Sequence, residues 1–492
     1  MAGQRLAELD PIGRDLAATA VAWMDDHWDD AAGLLQRAGN GPHAVRESAY
    51  YALGLLLRGG DGDGARASRA LGAVLSNQYD APGRVHHGTF ARAPEEPPPP
   101  IAPVEWRDYD PNWREFIGTT LALILRDHES ALPPTLVARI DDALRRAVAG
   151  GLARALPAAY TNIALMHAAL LCSVATRLDE PTLAARGEAF AREIHGLFRQ
   201  TDAFNEYNSP TYYGVDLYAL AHWRVSDSSA VLRELGADME ARLWTDIARY
   251  YHAGLGNIAG PYDRSYGMDM GRYGSALGLW IWLATGREAA PFPAITPDFP
   301  HAHDFCPAPA YALLGVRVPD DARRDLLAFR GERTVEQSIE PLRGRVATAW
   351  LGTDAMIGAQ ASAAPVRGWV QFHPATIHWR GPDGAIGWVR LLWNHDRPLD
   401  ARATRRTLTI RAPGPDAPDF VFHVHAPGLD PAAIGRERWR LPGLEVRVET
   451  AAAGPSVVPG DEWIEVRYAP RPGAGDGAAI VLRLGATGGA GG

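Results

Sequence analysis

Two periodicities divide this chain. From its start to about residue 287, apolar residues recur every three to four positions in Ala/Leu/Arg-rich segments separated by short loops, the spacing of amphipathic helices. ESAYYALGLLLRG from Glu47, REFIGTTLALILRDH from Arg114, NIALMHAALLCSVATRL from Asn162 and DMEARLWTDIARYYHAGL from Asp238 are examples, and about ten helices fit the region. PEEPPPPIAP from Pro94 reads as a long surface loop. After Pro291 the segments become short, Val/Ile/Trp-rich and bounded by Gly or Pro: RVATAWLG, GWVQFHPATIHWRG, AIGWVRLLWN, TRRTLTIRAPG, DFVFHVHAPG, LEVRVET, WIEVRYAP and AAIVLRLG. Such segments predict the strands of an antiparallel β-sandwich. The expected division is a helical domain over 1–300, a linker over 301–332, an antiparallel β-sheet domain over 333–484 and a disordered tail over 485–492.

Within the helical part, polar helix starts recur roughly every 50 residues, about the length of a helical hairpin with its loops. They are DPNW at Asp110, YTN at Tyr160, NSPTYY at Asn208 and GPYDRSYGMD at Gly260. Asp110-Pro111 and Ser209-Pro210 read as an N-cap followed by proline at the first helical position. Alternate helices of such an array point the same way, so a closed ring would line one mouth with their starts. Asn112, Asn162, Asn208, Tyr212, Tyr213, Tyr262, Asp263, Arg264 and Tyr266 would converge there, and free helix-terminal amides would favour an anionic group.

Composition narrows the chemistry. Net charge is -9, from 49 basic and 58 acidic residues, which argues against nucleic acid or an acidic membrane surface as partner. Every basic residue is Arg. The absence of Lys excludes P-loop, pyridoxal and protein-kinase chemistry, each of which needs one. Cys172 and Cys306 provide neither a disulfide framework nor a zinc ribbon, and Cys172 falls in an apolar helical run expected to be core. No signal peptide and no run of roughly 18 apolar residues is visible, so the expectation is a cytoplasmic protein with no membrane span, or a secreted or periplasmic one if a leader precedes it.

A mouth of Asn, Tyr, His and Arg in an acidic protein suits removal of a proton beside a carboxylate. Such a proton is weakly acidic until the carboxylate charge is neutralised by Asn, His or Arg. Tyr then acts as base and acid across a glycosidic bond, its base role requiring a nearby positive charge such as Arg264 to lower its pKa from about 10. β-Elimination of this kind needs no metal, and no cofactor is expected. TNIALM at Thr161, FNEYNSPTYYGVDLYAL at Phe204, GPYDRSYGMDM at Gly260 and TAWLGTDAMIGAQ at Thr348 resemble the heparinase II/III-like and alginate-lyase-like polysaccharide lyases. The resemblance implies an (α/α) toroid, an incomplete α/α barrel, followed by an antiparallel β-sandwich, and a uronate-containing polysaccharide or oligosaccharide as substrate. It implies Asn162 as the neutralising Asn and Tyr212 or Tyr213 as the helix-start Tyr. The Asn-His pair of some relatives is missing, since Ile163 follows Asn162. His86 or His87 from a loop, or His373 or His378 from the sheet domain, would then fill the His role.

The candidate catalytic residues are therefore Asn162, Tyr212, Tyr213, His87 and Arg264. Trp106, Asn112, Trp113, Glu206, Asn208, Tyr262, Tyr266, Asp269 and His373 are candidates for binding substrate. Tyr212 and Tyr213 are adjacent, about 100 degrees apart on a helix, so one is expected to face the cavity and the other to pack. A glycoside hydrolase would instead need two opposed carboxylates, drawn from Glu115, Glu206, Asp216, Asp263 and Asp269. A uronyl epimerase shares the first proton removal, and a carbohydrate-binding protein without chemistry would fit the same fold. His423 and His425 share one strand face and HAHD at His301 adds another short cluster, but neither is read as a metal site. Trp350, Trp379, Trp388 and Trp393 read as sandwich core.

Overall fold

The computed structural model describes residues 5–366, 370–470 and 477–485, and the expected tail beyond Gly485 lies outside them. Packing divides the chain into two units. One comprises Met1–Phe198, Gly214–Ala241 and Tyr273–Arg317, the other Arg199–Tyr213, Arg242–Arg272 and Val318–Gly492. A single cut near residue 300 therefore does not separate them, because two loops of the helical sequence pack with the strands.

Twelve helices occur among the described residues: α1 (Pro11–Asp25), α2 (Val45–Arg58), α3 (Asp63–Ser76), α4 (Trp113–His128), α5 (Pro134–Arg154), α6 (Thr161–Leu178), α7 (Pro181–Phe198), α8 (Tyr212–Arg224), α9 (Ala230–Tyr250), α10 (Ala276–Thr285), α11 (Ala308–Leu314) and α12 (Asp320–Leu327). In the first unit α2/α3, α4/α5 and α6/α7 are hairpins, and α2 packs on α4 and α4 on α6. Gly118 permits the last contact, since a Cβ there would stand 2.9 Å from Leu170. The succession continues through buried indoles. Trp223 Nε1 of α8 donates to the Leu165 carbonyl of α6 at 2.9 Å, and Trp280 Nε1 of α10 donates to the Gly214 carbonyl at 2.7 Å. Tyr311 of α11 stacks on Trp280 at 4.7 Å, and α11 packs on α2. The helices thus return to their starting point as an (α/α) ring. Its centre is packed: Tyr218 of α8 lies within hydrogen-bond distance of Thr119 and Thr120 of α4, and its ring meets Tyr50 of α2 and Tyr311. α6 is long and apolar enough to cross a membrane by length and composition, although polar residues interrupt it, and 78% of that window is buried inside the protein. Cys172, on this helix, is fully buried as expected.

The second unit is built, among the described residues, on a 13-stranded antiparallel sheet. From one edge the order is Arg438–Leu441, Leu444–Thr450, Ala478–Leu484, Thr407–Ala412, Arg397–Thr404 and Ala355–Val366. It continues through Ala375–Arg380, Ile386–Leu392, Phe420–His425, Ile464–Ala469 and Ala453–Pro459. Arg345–Leu351 and Arg333–Glu340 branch from Ala355–Val366. The sheet folds back on itself: Trp439, on the first strand of this order, donates its Nε1 to the Tyr468 hydroxyl, on the tenth, at 3.0 Å. One apolar core, including Trp350, Trp379 and Trp393, fills the fold. Arg333 donates to the carbonyls of Ala248, Arg249 and Tyr251, satisfying the orphan acceptors at the end of α9.

Two expectations need correction. Residues 301–332 are not a bare linker but contain α11 and α12. Within GWVQFHPATIHWRG the assigned strand is only Ala375–Arg380, because Pro374 precedes it and residues 371–373 face a loop instead.

Tyr468→Phe should leave the Trp439 N–H buried without an acceptor. Urea denaturation is expected to register a loss of about 1–3 kcal/mol.

Candidate functional site

In the second unit, two loops are fastened to each other and to the sheet before any reactive group is placed. Asn208 is fully buried in the left-handed region, at φ 52°, and its amide donates to the carbonyls of Ala259 and Pro261. Asp263 accepts from the Tyr207 backbone N–H and from Arg345 Nη2 at 2.5 Å, while Arg345 also donates to Gln360 and Glu340. Tyr262 and His373 exchange both backbone hydrogen bonds, and the Ser265 N–H donates to the Gln371 carbonyl. Ser209 Oγ accepts from the Tyr212 N–H. The helix begins at Tyr212, two residues later than Ser209-Pro210 predicted, with Ser209 still satisfying a free amide.

This framework presents four polar side chains together. Arg264 Nη1 donates to Glu206 at 2.7 Å, its Nε donates to Gln371 Oε1 at 3.0 Å, and its guanidinium lies 3.9 Å from the centroid of the Tyr212 ring. The Tyr212 hydroxyl meets the Tyr266 hydroxyl at 2.9 Å. Glu206, Tyr212, Arg264 and Tyr266 are all partly exposed. Burial pushes the Tyr212 phenol well above its usual range, Tyr266 adds to this, and Arg264 opposes it. The expected lowering by Arg264 is thus present in sign but overridden by desolvation. Asp263, next to Arg264 in sequence, is held by Arg345, and Asp269 accepts from the Gly271 N–H in its own turn.

Tyr213 turns the other way, as two residues 100 degrees apart must. It is fully buried and its hydroxyl donates to Asp246 at 3.2 Å, so it is removed from the candidate site. Tyr207 donates to the other Asp246 oxygen. Tyr262 is also core, its hydroxyl donating to the Ile258 carbonyl. His373 is fully buried and desolvation drives its pKa well down, so it contributes through its backbone and not as a substrate ligand. His378, likewise buried, bonds the Met268 carbonyl. His423 accepts from Arg390 and stacks on Trp463, whereas His425 stacks on Trp388.

In the first unit, α4 begins at Trp113 and not at Pro111, and the Asp110 side chain accepts from Asn112 N–H in a turn that precedes the helix. Asn112 is held between the Tyr160 hydroxyl and Arg154, and Arg154 lies over the Tyr160 ring. Trp113 is buried beneath Arg46 rather than open for stacking, whereas Trp106 is 56% exposed. Asn162 is buried in the first turn of α6. His87 is partly exposed, accepts from the Ala81 N–H, and has its pKa lowered by burial. Its loop is fastened by the fully buried Arg114, which donates to the carbonyls of Val85, His87 and Pro111. Glu115 and His167 form a buried pair at 3.2 Å. Sequence reading missed His167, Gln371 and Asp246. Nothing local marks Gln371 or Asp246, and His167 stands about 140 degrees round α6 from Asn162, so their spacing gave no signal of a shared face.

Two family models match this chain. One, described as a domain of unknown function (DUF8769), covers residues 14–316, and the other, a domain of unknown function (DUF8770), covers 332–458. No curated protein matches. Among solved structures, heparinase III is similar with 9% identity and a TM-score of 0.47, over 98% of this chain and 86% of that one. The Streptomyces avermitilis alpha-L-rhamnosidase complexed with L-rhamnose gives 10% identity and a TM-score of 0.32, over 96% and 41%. Endoglucanase CelQ from Clostridium thermocellum, complexed with cellobiose and cellotriose, gives 10% and 0.28, over 96% and 92%.

Burial raises the Asp246 carboxyl to about 6. Between its unfolded value of about 4 and this one, the folded state holds the extra proton, so stability falls as pH rises through the window. Relative to Asp246→Asn, the parent should lose about 2 kcal/mol between pH 4 and 7, measurable by chemical denaturation across pH.

Proposed function

The chain belongs to the family described as a domain of unknown function (DUF8769), and within it we propose that this protein is an enzyme that cleaves uronate-containing glycans by β-elimination. The observation that supports this most is the Tyr212–Tyr266 hydroxyl pair with Arg264 over the Tyr212 ring. A shared hydrogen bond between two phenols, beside a fixed cation, suits proton transfer between carbon and a leaving oxygen. The working form is the pair with one proton removed. One oxygen takes the proton from the carbon beside the carboxylate, and the leaving glycosidic oxygen receives a proton from the other. The C–O bond electrons leave with that oxygen while the C–H pair forms the double bond, and the hydroxyl pair returns to its starting state. Arg264 stabilises the phenolate, and Glu206 with Gln371 fixes Arg264 in place.

The paired-carboxylate reading has less support. Glu115 and Asp216 are fully buried and Asp263 is consumed by Arg345, leaving Glu206 on Arg264 and Asp269 in its turn.

The decisive measurement is ultraviolet absorbance of the conjugated unsaturated uronate, with alginate, glucuronan, hyaluronan, chondroitin and heparan as substrates. Tyr212→Phe should reduce turnover by about 10²–10⁴-fold with the fold intact. Because burial disfavours the phenolate, turnover of the parent should climb toward alkaline pH. New reducing ends without absorbance would overturn elimination and favour hydrolysis, and an inverted uronate without cleavage would indicate epimerisation.

A further inference from the structure

A second polar centre lies wholly within the helical unit and owes nothing to the tyrosine pair. The turn Phe299 to Cys306 is tight: the Ala302 N–H donates to the Phe299 carbonyl, the Asp304 N–H to the His301 carbonyl, and the Gly274 N–H fastens Pro300 from outside. His301 sits in the left-handed region at φ 58°, unusual for a residue other than Gly. This backbone brings His301, His303 and Asp304 together, with one ligand atom from each lying within 4.8 Å of the others. His301 Nδ1 is 3.9 Å from one Asp304 oxygen, and His303 Nε2 is 3.6 Å from the other. Two imidazoles and a carboxylate suit a borderline divalent transition cation, whose tetrahedral ligands would stand about 3.4 Å apart at the usual bond lengths. Roughly 1 Å of side-chain movement would close the set.

The surroundings point the same way. His301 and His303 line a cavity of about 380 Å³, together with Glu47 from the first turn of α2. The Glu47 side chain is 3% exposed; its Oε1 accepts from Arg46, while Oε2 is buried with no hydrogen-bond partner. An ionised oxygen left so beside a cavity is costly unless a donor or a cation comes to it. Another histidine on the cavity wall, His27, is consumed, with both ring nitrogens bonded to the carbonyls of Trp23 and Pro297. The cavity therefore distinguishes two histidines with carboxylate neighbours from one that is purely structural.

We propose that His301, His303 and Asp304 bind one divalent transition cation of the zinc class, and that Glu47 Oε2 accepts from the water this cation carries into the cavity. Three protein ligands with an open position is the pattern of a reactive zinc site, not of a closed structural one. The proposal reverses the expectation of no metal drawn from the sequence, where HAHD offered only a short cluster.

Chelator-stripped full-length protein, given Zn²⁺ and desalted, should retain one equivalent by elemental analysis. Co²⁺ should give the visible absorption of a tetrahedral site. His303→Ala, at a half-exposed position, and Asp304→Ala should weaken Zn²⁺ binding by more than about 100-fold, beyond the 10- to 100-fold cost of losing an outer partner. Glu47→Gln should fall in that 10- to 100-fold range. His43→Ala, which removes the separate pairing of His43 with Asp29 and Glu95, should retain full affinity. Failure of the parent to take up Zn²⁺ would overturn the proposal. So would unchanged affinity in both His303→Ala and Asp304→Ala, or loss of binding in His43→Ala. Parent-like affinity in Glu47→Gln would overturn the part assigned to Glu47.

Discussion

The arrangement of the tyrosine pair depends on one buried ion pair, Asp263 with Arg345. Both side chains are about nine-tenths buried, and taking two charges out of water costs several kcal/mol per ion, offset by their mutual attraction and by further hydrogen bonds, with Arg345 Nε left buried without a partner. Here the satisfaction is spread over three parts of the unit. Asp263 comes from the loop after α9, Arg345 and Gln360 from the sheet, and the Tyr207 N–H from the segment leading into α8. A charge that must be matched from all three fixes them together. Arg264, next to Asp263, and Glu206, next to Tyr207, inherit fixed positions without contributing to the core.

That division of labour explains why neighbouring residues have opposite fates. Asp263 and Arg264 look like partners in sequence, yet each pairs with a residue more than 50 positions away. Tyr212 and Tyr213 diverge in the same manner. The Tyr213 hydroxyl is bound to Asp246 in the interior, and the Tyr212 hydroxyl is left for Tyr266. The 100-degree step of the helix makes this divergence unavoidable once either ring is fixed.

Much of the fold was legible because periodicity reports burial directly. The alternating runs TRRTLTIRAPG, LEVRVET and AAIVLRLG became Thr407–Ala412, Leu444–Thr450 and Ala478–Leu484. What periodicity did not mark were strands with weak alternation or none. Ala355–Val366 is the branch point of the sheet, buried on both faces along much of its length, and its small residues carry no period of two. Arg397–Thr404 does alternate, with Leu399, Ala401 and Ala403 buried, but two of those buried positions are only Ala and a Pro stands near its start. The starts of α4, α6 and α8 were legible to within two residues, and Ser209 and Asp110 do accept from backbone amides, but GPYDRSYGMD is a loop and the next helix, α10, begins only at Ala276.

The site was legible in residue type more than in role, for a physical reason. Polar side chains at a helix start either satisfy the backbone or face solvent, and sequence does not distinguish the two. Asn208 and Asn112 are spent on internal hydrogen bonds, and Tyr262 and His373 on fastening a loop to the sheet. Each would have been as good a ligand as those that remain. The difference lies in which hydrogen bonds the interior requires, and that is set by partners distant in sequence. Gln371 illustrates the converse: an unremarkable residue in a strand-like run becomes the acceptor that orients Arg264, because Ser265 has already fastened its backbone to the Gln371 carbonyl. The candidate arrangement is therefore a residue of the folding problem, made of the polar groups the interior does not use.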